Sequence, residues 1–92
     1  MTGKRTATIV NERGLHARAA AKFVKTLDGY QAQVTVERHG TEVDGRSIMG
    51  LMMLAAGPGT ELEISATGAD AEAALDALAD LVGRGFDVGP AP

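Results

Sequence analysis

Residues 11–20 read NERGLHARAA, and they span the point at which a turn gives way to a helix. Asn11 and Gly14 are residue types that favour turns. Beyond them the apolar residues recur at helical spacing, at Ala20, Phe23, Val24 and Leu27. The stretch therefore predicts a helix over 17–27 that begins just after His16, although Ser, Thr, Asp and Asn are the usual residues at that position.

Alternating apolar and polar residues predict four strands elsewhere in the chain. Their predicted bounds are 5–10, 33–38, 41–43 and 60–67. In the second strand Val34 and Val36 face inward, and in the fourth Leu62 and Ile64 do so. A turn at His39-Gly40 joins the second and third strands, and Asp44-Gly45 is expected to end the third.

Two further helices complete the pattern. Residues 47–55, SIMGLMMLA, predict a short helix that Ser47 caps. A closing amphipathic helix over 71–82 has Asp70 and Glu72 at its positive end and Gly83 as its terminator. Its predicted inward residues are Ala71, Ala74, Leu75, Leu78 and Val82.

The element order is therefore β-α-β-β-α-β-α, which predicts an α+β fold. The economical packing is one layer of three helices on one face of a four-stranded antiparallel sheet. We expect a single domain over residues 1–88, and a disordered tail over 89–92, GPAP.

Composition excludes several classes of protein. The 92 residues suffice for one small core, and the absence of cysteine excludes disulfides and thiolate metal sites. No apolar run is long enough to span a membrane, and MTGKRTATIV lacks the apolar region of a signal peptide. Three aromatic residues do not make a nucleic-acid stacking platform. We expect a cytoplasmic monomer that inserts in no membrane, binds no nucleic acid and needs no cofactor.

Charge is distributed unevenly along the chain. Residues 1–46 carry eight Lys or Arg and five Asp or Glu, whereas residues 47–92 carry one and seven. Such asymmetry is typical of a polarised surface that attracts an acidic partner. An even spread of these charges over all faces of the fold is the alternative.

His16 is the strongest candidate for chemistry. Free N–H groups and the helix dipole make a helix N-terminus an anion site, and the same field favours a neutral imidazole. Gly14 lets the backbone approach closely, and Arg18 offers a donor fork suited to phosphate oxygens. The position suits a transient phosphohistidine.

Other interpretations of His16 stay open to different degrees. A surface histidine without chemistry fits the spacing equally well. A metal site fits poorly, because the only other histidine, His39, lies in a predicted turn without paired ligands. A Ser-His-Asp hydrolase also fits poorly, because no G-x-S-x-G motif is present.

The predicted second helix carries two more candidates. Ser47 is a helix cap and a possible kinase target, because a phosphate is tolerated at a helix start. Leu51 and Leu54 suit the core, which places Ile48, Met49 and Met52 on the outer side. Apolar, methionine-rich surface of this kind is common at docking sites, although core filling is the ordinary role of methionine.

NERGLHARAA resembles the active-site motif of the HPr phosphocarriers of the bacterial phosphoenolpyruvate:sugar phosphotransferase system, and RSIMGLMML resembles that family's regulatory-serine segment. The likeness covers the chain from Arg5 to the closing helix. It implies the family's open-faced β-sandwich, with four antiparallel strands covered by three helices.

The resemblance also implies a role for each candidate residue. His16 would be phosphorylated on Nδ1 by enzyme I and would pass the group to IIA-type acceptor domains, with Arg18 as the partner of the phosphate. Ser47 matches the serine that an ATP-dependent HPr kinase/phosphorylase modifies. The patch of Ile48, Met49 and Met52 matches the family's docking surface, and the basic side of the first helix, at Lys22 and Lys25, would face an acidic partner.

One departure from the family's pattern affects the expected function. Ala19 stands where the family usually has proline, which removes some rigidity from the first helical turn but no chemistry. A small residue there, and RGFD at 84–87, resemble the nitrogen-related branch of the family. Three hypotheses follow: a phosphoryl carrier, a regulatory switch without sugar transport, and a structural domain with an incidental histidine.

Overall fold

Residues 2–88 are described by the computed structural model, in which three helices cover one face of a four-stranded antiparallel sheet. The strands are β1 (Thr2–Thr8), β2 (Gln33–Arg38), β3 (Thr41–Asp44) and β4 (Glu61–Thr67). The helices are α1 (Ala17–Leu27), α2 (Ile48–Met53) and α3 (Ala71–Gly83), and a 3-10 turn follows at Gly85–Asp87. The sheet order is β1-β4-β2-β3. This confirms the predicted α+β fold and element order.

The core lies between the sheet and the helices. Val34, Val36, Leu62 and Ile64 are buried on the inner face of the sheet, as predicted. The helices contribute the predicted inward residues as well, because Ala20, Phe23 and Leu27 of α1 and all five named residues of α3 are buried. Val24 is only partly buried, and it packs against this core.

Several predicted boundaries are wrong, and the largest error concerns β1. It covers 2–8 rather than 5–10 because each of its seven residues pairs with one of β4, from Thr2 with Thr67 to Thr8 with Glu61. β4 itself begins one residue later than predicted. The strand pairing therefore sets the ends of β1, whereas local alternation does not.

The other corrections are shorter. α2 covers 48–53 rather than 47–55, because Ser47 is its cap in extended backbone and Ala55 has a left-handed φ of 51°. Asp44 belongs to β3, where it pairs with Thr35, and α3 includes Gly83. The predicted disordered tail, 89–92, lies outside the described residues.

Candidate functional site

His16 is the N-cap of α1. Its backbone is extended (φ −77°, ψ −179°), and its Nδ1 accepts a hydrogen bond of 3.2 Å from the backbone N–H of Arg18. The imidazole thus does what a Ser or Asp side chain does at other helix starts. Because Nδ1 accepts, it carries no proton, and the neutral ring must hold its proton on Nε2.

The surroundings of His16 favour that neutral ring. Partial burial lowers the pKa of His16 below 6.5, and the positive charges of Arg13 and Arg18 lower it further. Nε2 is buried and has no hydrogen-bond partner among residues 2–88. Nδ1, which carries a lone pair rather than a proton at the helix N-terminus, is therefore the better of the two nitrogens to attack an incoming group.

The loop before His16 is fixed against the segment that follows α2. Gly14 has φ 62°, and a Cβ there would lie 2.1 Å from the carbonyl oxygen of Ala56. The backbone N–H of Leu15 donates to that same carbonyl at 2.9 Å. Asn11 closes the turn, since its Nδ2 donates to the Gly14 carbonyl at 2.8 Å. Gly14 is therefore required by both its backbone conformation and its close packing.

Two exposed arginines flank the imidazole. Arg18 was identified from the sequence. In the structure its backbone N–H donates to His16, and its positive charge lowers the pKa of His16. Arg13 was missed, although its charge has a larger effect on the pKa of His16 than that of Arg18. Its position three residues before His16, within a predicted turn, was the available signal.

α2 has the two faces that the sequence predicts. The hydroxyl of Ser47 accepts from the backbone N–H of Gly50 at 2.9 Å, which confirms the cap. Leu51 and Leu54 are buried. The outer side carries large exposed apolar residues, namely Ile48 (40%), Met49 (72%), Met52 (40%) and Met53 (76%). Met53, the most exposed of them, was not identified from the sequence.

The two lysines of the predicted basic side differ in their surroundings. Lys25 is exposed in the last turn of α1. Lys22 is partly buried, and its Nζ donates to the backbone carbonyl of Asp87 at 3.3 Å. Contact of either lysine with a partner stays a prediction.

Within residues 2–88, no group of three or more His, Cys, Asp or Glu could hold a metal ion. No helix in the same range is long and apolar enough to cross a membrane.

Comparison with known proteins gives consistent results. A family model described as "PTS HPr component phosphorylation site" matches residues 4–84. The chain is 52% identical to the phosphocarrier protein HPr of Pseudomonas aeruginosa, over 89% of this chain and 92% of that one. It is 40% identical to the phosphocarrier protein NPr of Escherichia coli, over 95% and 98%. The crystal structure of HPr-C-His from Thermoanaerobacter tengcongensis superposes with a TM-score of 0.88 at 40% identity, covering 95% of this chain and 98% of that one.

Proposed function

The chain belongs to the HPr family of phosphocarrier proteins, and from that premise we propose that His16 accepts a phosphoryl group from phospho-enzyme I and passes it to IIA-type acceptor domains. The relatives are named phosphocarrier proteins and not enzymes. His16 would accordingly be a stoichiometric acceptor, regenerated each time the group moves on.

The hydrogen bond from the Arg18 N–H to Nδ1 of His16 is the observation that carries this proposal. It leaves the Nδ1 lone pair free of a proton and directs it toward the helix N-terminus. In the transfer the hydrogen bond from the Arg18 N–H gives way and this lone pair forms the new N–P bond, while the bond between phosphorus and the leaving atom of enzyme I breaks and its electron pair returns to enzyme I. One N–H group at the helix start donates to this lone pair in the unmodified protein. After the transfer, the N–H groups there can donate to the phosphoryl oxygens instead.

Arg18 and Arg13 supply positive charge to the product. Arg18 is exposed, so its guanidinium is free to turn toward a phosphoryl group on Nδ1 and donate to its oxygens. The same two arginines disfavour the protonated imidazole, which has no lone pair to offer at Nδ1. Both effects assist phosphoryl acceptance near neutral pH.

We propose that partners dock on α2 and the basic side of α1. Ile48, Met49 and Met52 form an exposed apolar patch, and the segment just after α2 contacts the loop before His16 through the Ala56 carbonyl. A partner seated on this patch would lie next to the imidazole. Lys25 and Arg18 would attract its acidic groups.

Ser47 is proposed as a site of regulation by an HPr kinase/phosphorylase. A phosphate at a helix start is tolerated by the fold, but its charge would adjoin the apolar patch and hinder docking. We expect Ser47→Asp to slow the phosphorylation of His16 at low enzyme I concentration and to approach the wild-type rate at saturation. A loss that persists at saturation would place the effect on the chemical step instead.

A second candidate function is a regulatory switch of the nitrogen-related branch, without sugar transport. Ala19 and the RGFD segment at 84–87 favour it, together with the 40% identity to the protein named NPr. The higher identity to a protein named HPr favours the carrier.

Transfer from the loaded protein separates these functions. The chain is phosphorylated with enzyme I and phosphoenolpyruvate, purified, and mixed with IIA domains of the sugar and nitrogen-related branches. We expect the phosphoryl group to move from the loaded protein to a sugar-type IIA domain after mixing. Transfer to the nitrogen-related domain alone would support the switch, and no phosphorylation of His16 would contradict both functions.

A further inference from the structure

Arg38 ends β2 in an unusual position for a charged residue. It follows Val34 and Val36 in the alternation of the strand, so its side chain starts on the inner, helix-covered face of the sheet. Its Nη1 donates to the backbone carbonyls of Leu54 at 2.8 Å and Ala55 at 3.3 Å, and its Nε is buried. The guanidinium is therefore anchored on the segment that follows α2.

That segment has a backbone conformation that needs support. Ala55 has φ 51°, a left-handed conformation that costs free energy in a residue other than glycine. It persists only where the surroundings hold it, and the charge-assisted hydrogen bonds from Arg38 are such a restraint. The two carbonyls also lie at the C-terminal end of α2, where a cation is favoured.

The segment in turn sets the position of His16. The Ala56 carbonyl accepts from the Leu15 N–H at 2.9 Å, and the same oxygen is the nearest atom to the space that a Cβ on Gly14 would fill. One residue later, His16 must hold its ring so that Nδ1 meets the Arg18 N–H. An unbroken series of contacts thus links Arg38 to the imidazole.

We propose that Arg38 is a positioning residue for phosphoryl transfer, acting through the Leu54–Ala56 backbone on the orientation of the His16 ring. Arg38 touches neither the ring nor any reacting atom. This inference rests on the proposed function of His16 as phosphoryl acceptor. It assigns a role in the position of His16 to a residue at the end of β2 that lies outside the phosphorylation site itself.

Arg38→Met tests the inference, because methionine keeps the apolar stem and removes the donors. Arg46→Met is the matched control: Arg46 also donates to backbone carbonyls, those of Leu27, Tyr30 and Ala32, but it does so at the opposite end of α1 from His16. Both variants lose a guanidinium that joins two parts of the backbone. Only one of these contacts leads to the imidazole.

Two measurements are made on wild type and both variants. The first is the rate of His16 phosphorylation at saturating enzyme I, which we expect Arg38→Met to lower roughly tenfold, less than the roughly hundredfold loss that a misplacement of about 1 Å can cause. The second is the ¹⁵N chemical shifts of the His16 ring, which report the tautomer and require no enzyme. We expect the Nε2–H form to dominate in wild type and Arg46→Met, and a mixture of tautomers in Arg38→Met. Arg38→Lys should restore part of both signals.

Unchanged ring shifts and an unchanged saturated rate in folded Arg38→Met would overturn the inference, as would equal losses in both methionine variants. If Arg38→Met does not fold, Arg38→Gln, which is neutral and too short to span both carbonyls, decides between the same outcomes. A wild type that enzyme I does not phosphorylate would contradict the proposed function. The ring shifts would still decide whether Arg38 positions His16.

Discussion

At the scale of single residues, His16 acts both as the cap of α1 and as the proposed nucleophile. A hydroxyl or carboxylate cap would satisfy the Arg18 N–H as well, but it would not offer a nitrogen lone pair. Because the same N–H that holds Nδ1 in the unmodified protein can donate to a phosphoryl oxygen afterwards, both states of the side chain suit the helix start.

The pKa of His16 gives the first prediction. Partial burial, Arg13 and Arg18 all hold the pKa of His16 below 6.5, so NMR titration should find it there, and Arg13→Ala should raise it. Since the unfolded chain binds the proton more readily, the domain should lose stability as pH falls from about 6.5 through the folded pKa. A His16 pKa above 6.5 in the wild type, or no rise in Arg13→Ala, would contradict this account.

Arg18 gives the second prediction. Arg18→Ala should be phosphorylated roughly tenfold more slowly at saturating enzyme I, because one charge-assisted hydrogen bond is worth about 1.5 kcal/mol or more, while the helix N–H groups remain. Lys25→Ala removes an exposed cation from the other end of α1 and is the control, with an expected wild-type rate at saturation. Equal rates for Arg18→Ala and Lys25→Ala would mean that Arg18 makes no contact with the phosphoryl group.

At the scale of elements, the two sides of α2 are expected to have different roles, the buried side in stability and the exposed side in binding. Leu54 is 4% exposed and Met52 is 40% exposed, although the two residues lie only two positions apart in the sequence. Leu54→Ala should lower the free energy of unfolding by about 2–5 kcal/mol, as truncations of core leucines do. Met52→Glu should change it by about 1 kcal/mol or less and should weaken enzyme I binding.

Urea unfolding and a binding titration against enzyme I test this third prediction on the same two variants. Met49→Glu, at the more exposed position, should behave like Met52→Glu. If Met52→Glu unfolds the domain, or if it binds enzyme I as tightly as wild type, the patch is not a docking surface.

The helices and strands also differ in how far the sequence determines them. The bounds of α1 could be predicted because the turn before His16 and the apolar stripe that ends at Leu27 are both local signals. β1 could not be placed in the same way, since its length is set by β4, more than fifty residues away along the chain. Arg38 was missed for the same reason, because its role depends on carbonyls at Leu54 and Ala55 that only the fold brings near. The proximity of Arg18 to the imidazole could be predicted, because His16 and Arg18 lie only two positions apart in the sequence.

At the scale of the whole molecule, charge is arranged by face. Strand register directs five acidic residues to the outer face of the sheet: Glu37, Glu42, Asp44, Glu61 and Glu63. Residues 11–28, which contain the loop before His16 and α1, carry four Lys or Arg and two Asp or Glu. The outer face of the sheet thus carries mostly acidic charge, whereas the segment that contains His16 and α1 has a net positive charge.

This arrangement gives the fourth prediction. If an acidic partner is attracted to the basic side, the second-order rate of phosphorylation by enzyme I should fall as ionic strength rises, because the Debye length shortens to about 10 Å at 0.1 M salt. The rate at saturating enzyme I should change little. Stopped-flow measurements over a salt series would reveal both, and a second-order rate that does not depend on salt would contradict the electrostatic attraction.

The fifth prediction concerns the central claim, that His16 carries the phosphoryl group, and it is tested most directly by mapping the modification. The intact chain is incubated with enzyme I and phosphoenolpyruvate, and its mass is measured before and after exposure to acid and to base. We expect the mass of one phosphoryl group on His16, lost in acid and retained in base as for a phosphoramidate, and no gain in a folded His16→Ala variant. An acid-stable phosphate, or an equal gain in His16→Ala, would contradict the account.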